Sequence, residues 1–164
     1  MSLGQVTING QTYVERLQIF PFEQNVTVSG QVINTRLILP GVANFRLKGL
    51  TRTVVQNHAV STSFPFKFRL GNSDGSTYYS AAGTNGTLGS NSPSGGSTDA
   101  VLDSLMFGNG QFPYPLPVPL FYSASGAILM YVEDVSNNAT GSPYTIYFGF
   151  HGSYLLQPQG SATS

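Results

Sequence analysis

Four prolines stand two residues apart in "FPYPLPVPLFY", at Pro113, Pro115, Pro117 and Pro119. Each proline fixes its own φ near −65°, removes one backbone donor and drives the residue before it toward extended geometry. No helix survives that pattern. A central strand does not either, because one of its sides has no N–H to give. The segment is therefore stiff and extended and belongs at a sheet edge or between sheets. Readers of polyproline helices need prolines three apart; no two prolines in this run have that spacing, which excludes a docking peptide of that kind. A linker is excluded by what lies between: Tyr114, Leu116, Val118 and Leu120 are all apolar. The run either blocks unwanted edge pairing or presents its apolar residues to a neighbouring subunit. Pro113, Tyr114, Pro115, Leu116, Pro117, Val118 and Pro119 together form a candidate interface.

The rest of the chain has the period of strands. "QVTINGQTYV" alternates Val6 and Ile8, then Thr12 and Val14, around Asn9-Gly10, a dipeptide that favours a two-residue type I′ hairpin turn. "VTVSGQVIN" repeats the pattern around Ser29-Gly30. "TRLILPG" is a strand stopped by Pro40-Gly41. "ANFRLKGLTRTVV" sets Phe45 and Leu47 against Arg46 and Lys48. "FPFKFRLGNSDG" sets Phe64, Phe66, Phe68 and Leu70 against Lys67 and Arg69. "AILMYV", "YTIYFGF" and a short "GSYLLQ" follow. The segment 71–98 is Gly, Ser, Asn and Thr with almost nothing to bury, a long loop. "STDAVLDSLMFG" predicts one short helix, capped by Ser97 or Thr98, with Val101, Leu102, Leu105 and Met106 on one face. About eight strands with one minor helix make an all-β domain, a single β-sandwich of jelly-roll type over residues 1–157, with a loose tail at 158–164.

Charge narrows the function. Only 9% of the 164 residues are charged, against about 25% in a typical soluble domain, and the formal net charge is zero. Such a surface lacks the self-repulsion that keeps proteins apart, which suits life in an assembly. Zero net charge also gives little pull on phosphates, so nucleic acid is not an expected partner. The chain has no cysteine, hence no disulfide and no thiolate site. It shows no signal peptide and no apolar run of membrane-spanning length, so no membrane partner is expected. The sequons at Asn25, Asn85 and Asn138 are what a chain so rich in Asn, Ser and Thr gives by chance.

Chemistry is sparse. His58 and His151 are far apart and lie in no metal-ligand pattern, which makes each a surface or hydrogen-bonded histidine. Glu133-Asp134 can offer oxygens to calcium but lacks a loop with ligands at regular spacing. There is no nucleophile elbow and no phosphate loop. The expectation is a non-enzyme with no catalytic residue, metal or cofactor. One charge pattern stands out: Arg46, Lys48, Lys67 and Arg69 occupy the polar positions of two predicted strands. If these strands share a sheet, the four form one basic docking face for an acidic protein surface.

The run "PYPLPVPLFYSASGAILMYVEDVSNN" followed by "YTIYFGFHG" resembles the C-terminal half of β-sandwich proteins of tailed-bacteriophage particles. The matching positions are Pro115, Pro117, Pro119, Gly126, Val132, Asp134, Ser136 and Gly149. The resemblance covers about 40 residues and is a pattern of turns and strands. It implies a virion structural protein, a capsid decoration or accessory subunit, associating as a homo-oligomer, commonly a trimer, and docking on a major capsid protein. The alternative is a carbohydrate- or receptor-binding module of a phage tail or fibre, with exposed tyrosines such as Tyr78 and Tyr79 against a glycan.

Overall fold

The computed structural model describes residues 4–61, 65–73, 77–78, 100–105, 107, 112–136 and 139–158. Among them are eleven strands: β1 (Gly4–Ile8), β2 (Gln11–Val26), β3 (Val32–Ile38), β4 (Asn44–Gln56), β5 (Ala59–Ser61), β6 (Phe66–Asn72), β7 (Thr77–Tyr78), β8 (Val101–Leu102), β9 (Tyr114–Tyr122), β10 (Ala127–Asp134) and β11 (Tyr144–Leu156). They form two sheets, and every pairing is antiparallel. One runs β1-β2-β11-β4, with β5 and β9 both pairing β4; the other runs β3-β10-β6, with β7 and β8 both pairing β6.

The sheets pack face to face through the alternate residues that the sequence pattern marks as apolar. Phe66 and Phe68 of β6 meet Phe148 of β11, with ring centroids 5.8 and 5.4 Å apart. At one end Phe20, Phe45 and Tyr154 stack edge to face at 5.0–5.9 Å. Such edge-to-face contacts add about 0.5–1.5 kcal/mol per pair beyond the burial of the rings. Leu50, Leu70, Ile128, Val132 and Ile146 fill the space between.

The first hairpin is the one its dipeptide predicts. Asn9 and Gly10 both have positive φ, 51° and 80°, and Ile8 pairs Gln11 across them. The second Gly-containing pattern behaves differently: the turn around Ser29-Gly30 carries the chain from β2 in one sheet to β3 in the other. The segments "YTIYFGF" and "GSYLLQ" are one strand, β11, which pairs β2 over thirteen residues. The helix expected over 97–108 does not form where it is described. Val101 and Leu102 pair with Phe68 and Lys67, and only a single 3-10 turn follows at Asp103–Leu105. Edge pairing with β6 overrides the local helical spacing there. Residues 97–99, 106 and 108, most of the 71–98 loop, and the tail from 159 lie outside the described residues.

Strand β4 contains a bulge. Lys48 has no partner on β11, between Leu47 opposite Gly152 and Gly49 opposite His151. One extra residue reverses the alternation, so Phe45 and Leu47 point inward before the bulge and Leu50, Arg52 and Val54 after it. Arg52 therefore faces the core, where it pairs with buried Asp103 and its guanidinium lies 5.8 Å from the Phe66 ring. At the opposite flank, Asp134 is almost fully buried. It accepts from the Gly30 N–H (2.9 Å), the Ser136 N–H (3.1 Å) and hydroxyl (2.6 Å), and the Tyr144 hydroxyl (2.7 Å). Burial pushes its carboxyl up, but these four donors outweigh it and hold the carboxyl below its usual value. The group ties the ends of β10 and β11 to the turn before β3. Its oxygens are occupied by the protein's own donors, which leaves Glu133-Asp134 ill suited to calcium.

Candidate functional site

The proline run lies at the edge of the larger sheet, but not as a regular strand. Tyr114 and Pro115 pair Leu50 and Gly49, and Leu120 to Tyr122 pair Leu47 to Phe45. Between these two short ladders, residues 116–119 stand against Lys48 alone. With prolines at 117 and 119 the bulged stretch has few donors to leave unpaired, which is why this sequence tolerates the irregularity.

The run splits into two sides. Leu116 and Leu120 enter the core. Leu116 is thus a packing residue and leaves the candidate interface. Pro113, Tyr114, Pro115, Pro117 and Val118 are exposed and Pro119 is half-buried. Gly49 lets the strand start come close: a Cβ there would sit 3.1 Å from the Tyr114 carbonyl and 3.2 Å from Pro113 Cβ.

Beside the run, the outer face of the sheet holds an apolar groove of about 270 Å3. Its walls are Leu17 and Ile19 of β2 and Pro113 and Pro115, with Lys48, Gly49 and His151 along the floor. Leu17 is 79% and Ile19 53% exposed, a large apolar surface to leave in water. His151 Nε2 and Thr51 Oγ1 are 2.9 Å apart, and burial pushes the imidazole below its ordinary pKa. Phe121 continues the apolar surface along β9, with Arg46 5.9 Å over its ring.

The four cations do not form one face. β4 and β6 belong to different sheets, so Arg46 and Lys48 lie on one outer face of the sandwich and Lys67 and Arg69 on the other. The condition of a shared sheet fails because β4 pairs β11 whereas β6 pairs β10. The charges are also largely spoken for. Glu15 accepts from Arg46 at 3.1 Å and from Lys48 at 2.7 Å. Burial raises the Glu15 carboxyl, but the two cations outweigh it and leave it below its ordinary value. Lys67 lies 3.7 Å from Glu133, and Arg69 lies 5.1 Å over the Tyr131 ring.

At the other end of the same outer face is a cleft of about 450 Å3 with a mixed polar and apolar lining. It is framed by the end of β2, the start of β11 and the turn at Asn57-His58. The sequence alone gave no signal for either depression. Their walls come from strands far apart in the chain, and Leu17 and Ile19 sit in a stretch interrupted by Glu15, Arg16 and Pro21. Of the tyrosines named for glycan contact, Tyr79 lies outside the described residues, and the Tyr78 side chain does too. Among the described residues no three His, Asp or Glu side chains converge as a metal site, and no helix is long and apolar enough to cross a membrane.

Comparison of the chain with protein-family models, curated proteins and solved structures found no match.

Proposed function

We propose that this chain is a structural subunit of a virus particle, a capsid decoration or accessory protein of tailed-bacteriophage type, acting without catalysis. It associates with copies of itself, as a trimer, and docks on other particle proteins such as a major capsid protein. The observation that carries the reading is the exposed apolar groove beside the proline run. Leu17, Ile19, Pro113 and Pro115 form a surface that gains by leaving water, and the near-neutral composition puts no electrostatic barrier between copies. A stable contact of this kind takes about 800 Å2 per partner, more than the groove alone. The neighbouring Val118 and Phe121 extend the apolar surface along β9.

The strand order supports a jelly-roll reading. Within the six- and five-stranded sheets, the runs β2-β11-β4-β9 and β3-β10-β6-β8 are two facing sets of four strands. The chain crosses from sheet to sheet at each of its long strands except between β6 and β8. Capsid domains are one of the settings in which that architecture occurs. The fold by itself assigns no function; the assignment to a particle rests on the resemblance and on the apolar face.

Sedimentation and light scattering at micromolar concentration test the association. A trimer is expected for the wild type, and a monomer for Leu17→Lys/Ile19→Lys, whose fold is unchanged because both side chains are exposed. A strictly monomeric wild type would overturn self-association. Quantitative mass spectrometry of purified particles tests the location: many copies on the head support decoration, and absence from the particle refutes a virion role.

A further inference from the structure

The cleft of mixed polar and apolar lining at the far end of the larger sheet has the makings of a ligand site, separate from the apolar groove. His151 in the groove and Thr145 in the cleft are six residues apart on β11, about 20 Å of strand. Tyr147 stands on the outer face of this central strand. Its neighbours across the ladders are Glu23 on β2 and Thr53 on β4. The ring is 45% exposed, an aromatic in the middle of a sheet with nothing of the described protein stacked on it.

The cleft lining also holds hydrogen-bonding groups, Asn25, Thr27, Asn57, His58 and Thr145, with Val55 and Pro143 as apolar wall. The Thr145 hydroxyl donates to Asn25 Oδ1 at 2.7 Å. That bond fixes the Asn25 amide with its NH2 left to donate elsewhere. No Lys, Arg, Asp or Glu lines the cleft; Glu23, opposite Tyr147, stands at its margin. An aromatic platform, an oriented amide and hydroxyls, with no Lys, Arg, Asp or Glu in the lining, complement a ring that has an apolar face and an edge of hydroxyls. The cleft volume of about 450 Å3 lies within the range of about 300–1,000 Å3 typical of small-molecule sites.

The turn adds an independent observation. Asn57 and His58 both have positive φ, 48° and 64°, and Gln56 pairs Ala59 across them. This is the same two-residue type I′ geometry as Asn9-Gly10, where glycine takes the second position without steric cost. At position 58 the chain instead holds an imidazole in the left-handed region, at a cost of about 1–2 kcal/mol. The turn sets both Asn57 and His58 among the residues that line the cleft.

We infer that the cleft formed by Tyr147, Asn25, Asn57, His58 and Thr145 binds a neutral saccharide, with the Tyr147 ring under the apolar face of one pyranose unit. The inference does not depend on self-association through the groove. Glu23 at the margin accepts a hydroxyl and disfavours anionic sugars.

Screening the full chain on a glycan array of neutral and acidic oligosaccharides, then measuring saturation-transfer NMR with methyl glycosides of glucose, galactose, mannose and N-acetylglucosamine, tests this. Binding of a neutral glycan is expected. Tyr147→Ala should weaken it by roughly three- to tenfold, the scale of one lost stacking contact. Tyr147→Phe should retain it within about threefold, because the ring remains. Asn57→Gly keeps the turn, deletes the amide and should also weaken binding. Leu17→Lys/Ile19→Lys should bind as the wild type does, even as a monomer. No binding to any neutral glycan, binding confined to acidic glycans, or equal binding by Tyr147→Ala would each overturn the proposal.

Discussion

Replacing Asp134 by Asn probes a buried carboxylate that accepts four hydrogen bonds. Its Oδ1 takes three donors, the Ser136 N–H and hydroxyl and the Tyr144 hydroxyl; its Oδ2 takes the Gly30 N–H. Asparagine has one acceptor oxygen. With that oxygen at the Oδ1 position, the amide NH2 faces the Gly30 N–H, and two donors confront each other at what was a 2.9 Å bond. An orphaned donor costs about 1–3 kcal/mol, and the three remaining bonds lose their charge assistance. The sum is a loss of about 3 kcal/mol, a fall in Tm of roughly 6–12 °C for a domain of this size. Tyr144→Phe removes a single donor and should cost about 1–1.5 kcal/mol. The pH dependence follows from linkage. The folded carboxyl sits below its unfolded value of 3.8, so the unfolded state takes up protons first. The stabilisation is complete above the unfolded value and is lost as pH falls through it to the folded value. Urea unfolding at pH 7 and at successively lower pH measures both effects. The wild type should lose stability in acid, and the Asn variant should start lower and lose less. A variant within about 0.5 kcal/mol of wild type at pH 7, the range of an ordinary surface change, would refute the role assigned to this carboxylate.

Three further outcomes are expected. Gly152→Ala should destabilise by several kcal/mol, on the order of the largest core substitutions, because its Cβ would overlap the Arg46 carbonyl and the Phe45 ring, neither of which can retreat; normal thermal stability would show that the bulge can absorb the methyl group. His58→Gly should raise stability by about 1 kcal/mol by relieving the left-handed strain, and a loss on urea unfolding would mean that the imidazole supports the turn. Pro115→Ser/Pro117→Ser should cost about 1–2 kcal/mol through the freer unfolded chain and should alter assembly by restoring edge donors; unchanged stability and unchanged sedimentation would remove the proline run from the account of association.

Much of the inward-facing set was legible from local periodicity. Phe45 and Leu47, Phe66, Phe68 and Leu70, and Ile146 and Phe148 all point where strict alternation puts them. The first hairpin was legible because Asn9-Gly10 specifies its own geometry. The Asn57-His58 turn was not, because histidine does not announce a positive φ. Nor was the helix-like spacing around Val101 and Leu102 decisive once β6 offered an edge to pair with.

Alternation is local: it decides which side of a strand is apolar, and proline decides that a strand cannot be interior. The chain alone therefore settled the all-β class and the stiff, extended character of residues 113–119. Pairing is not local. Whether Arg46 and Lys48 share a face with Lys67 and Arg69 depends on β4 choosing β11 and β6 choosing β10, contacts between residues 56 to 111 positions apart. The bulge at Lys48 depends on them too, because an extra residue exists only relative to a partner strand. The groove and the cleft are products of that pairing, assembled from β2, β4, β9 and β11, and so only the tertiary structure decided where this protein has a surface to use.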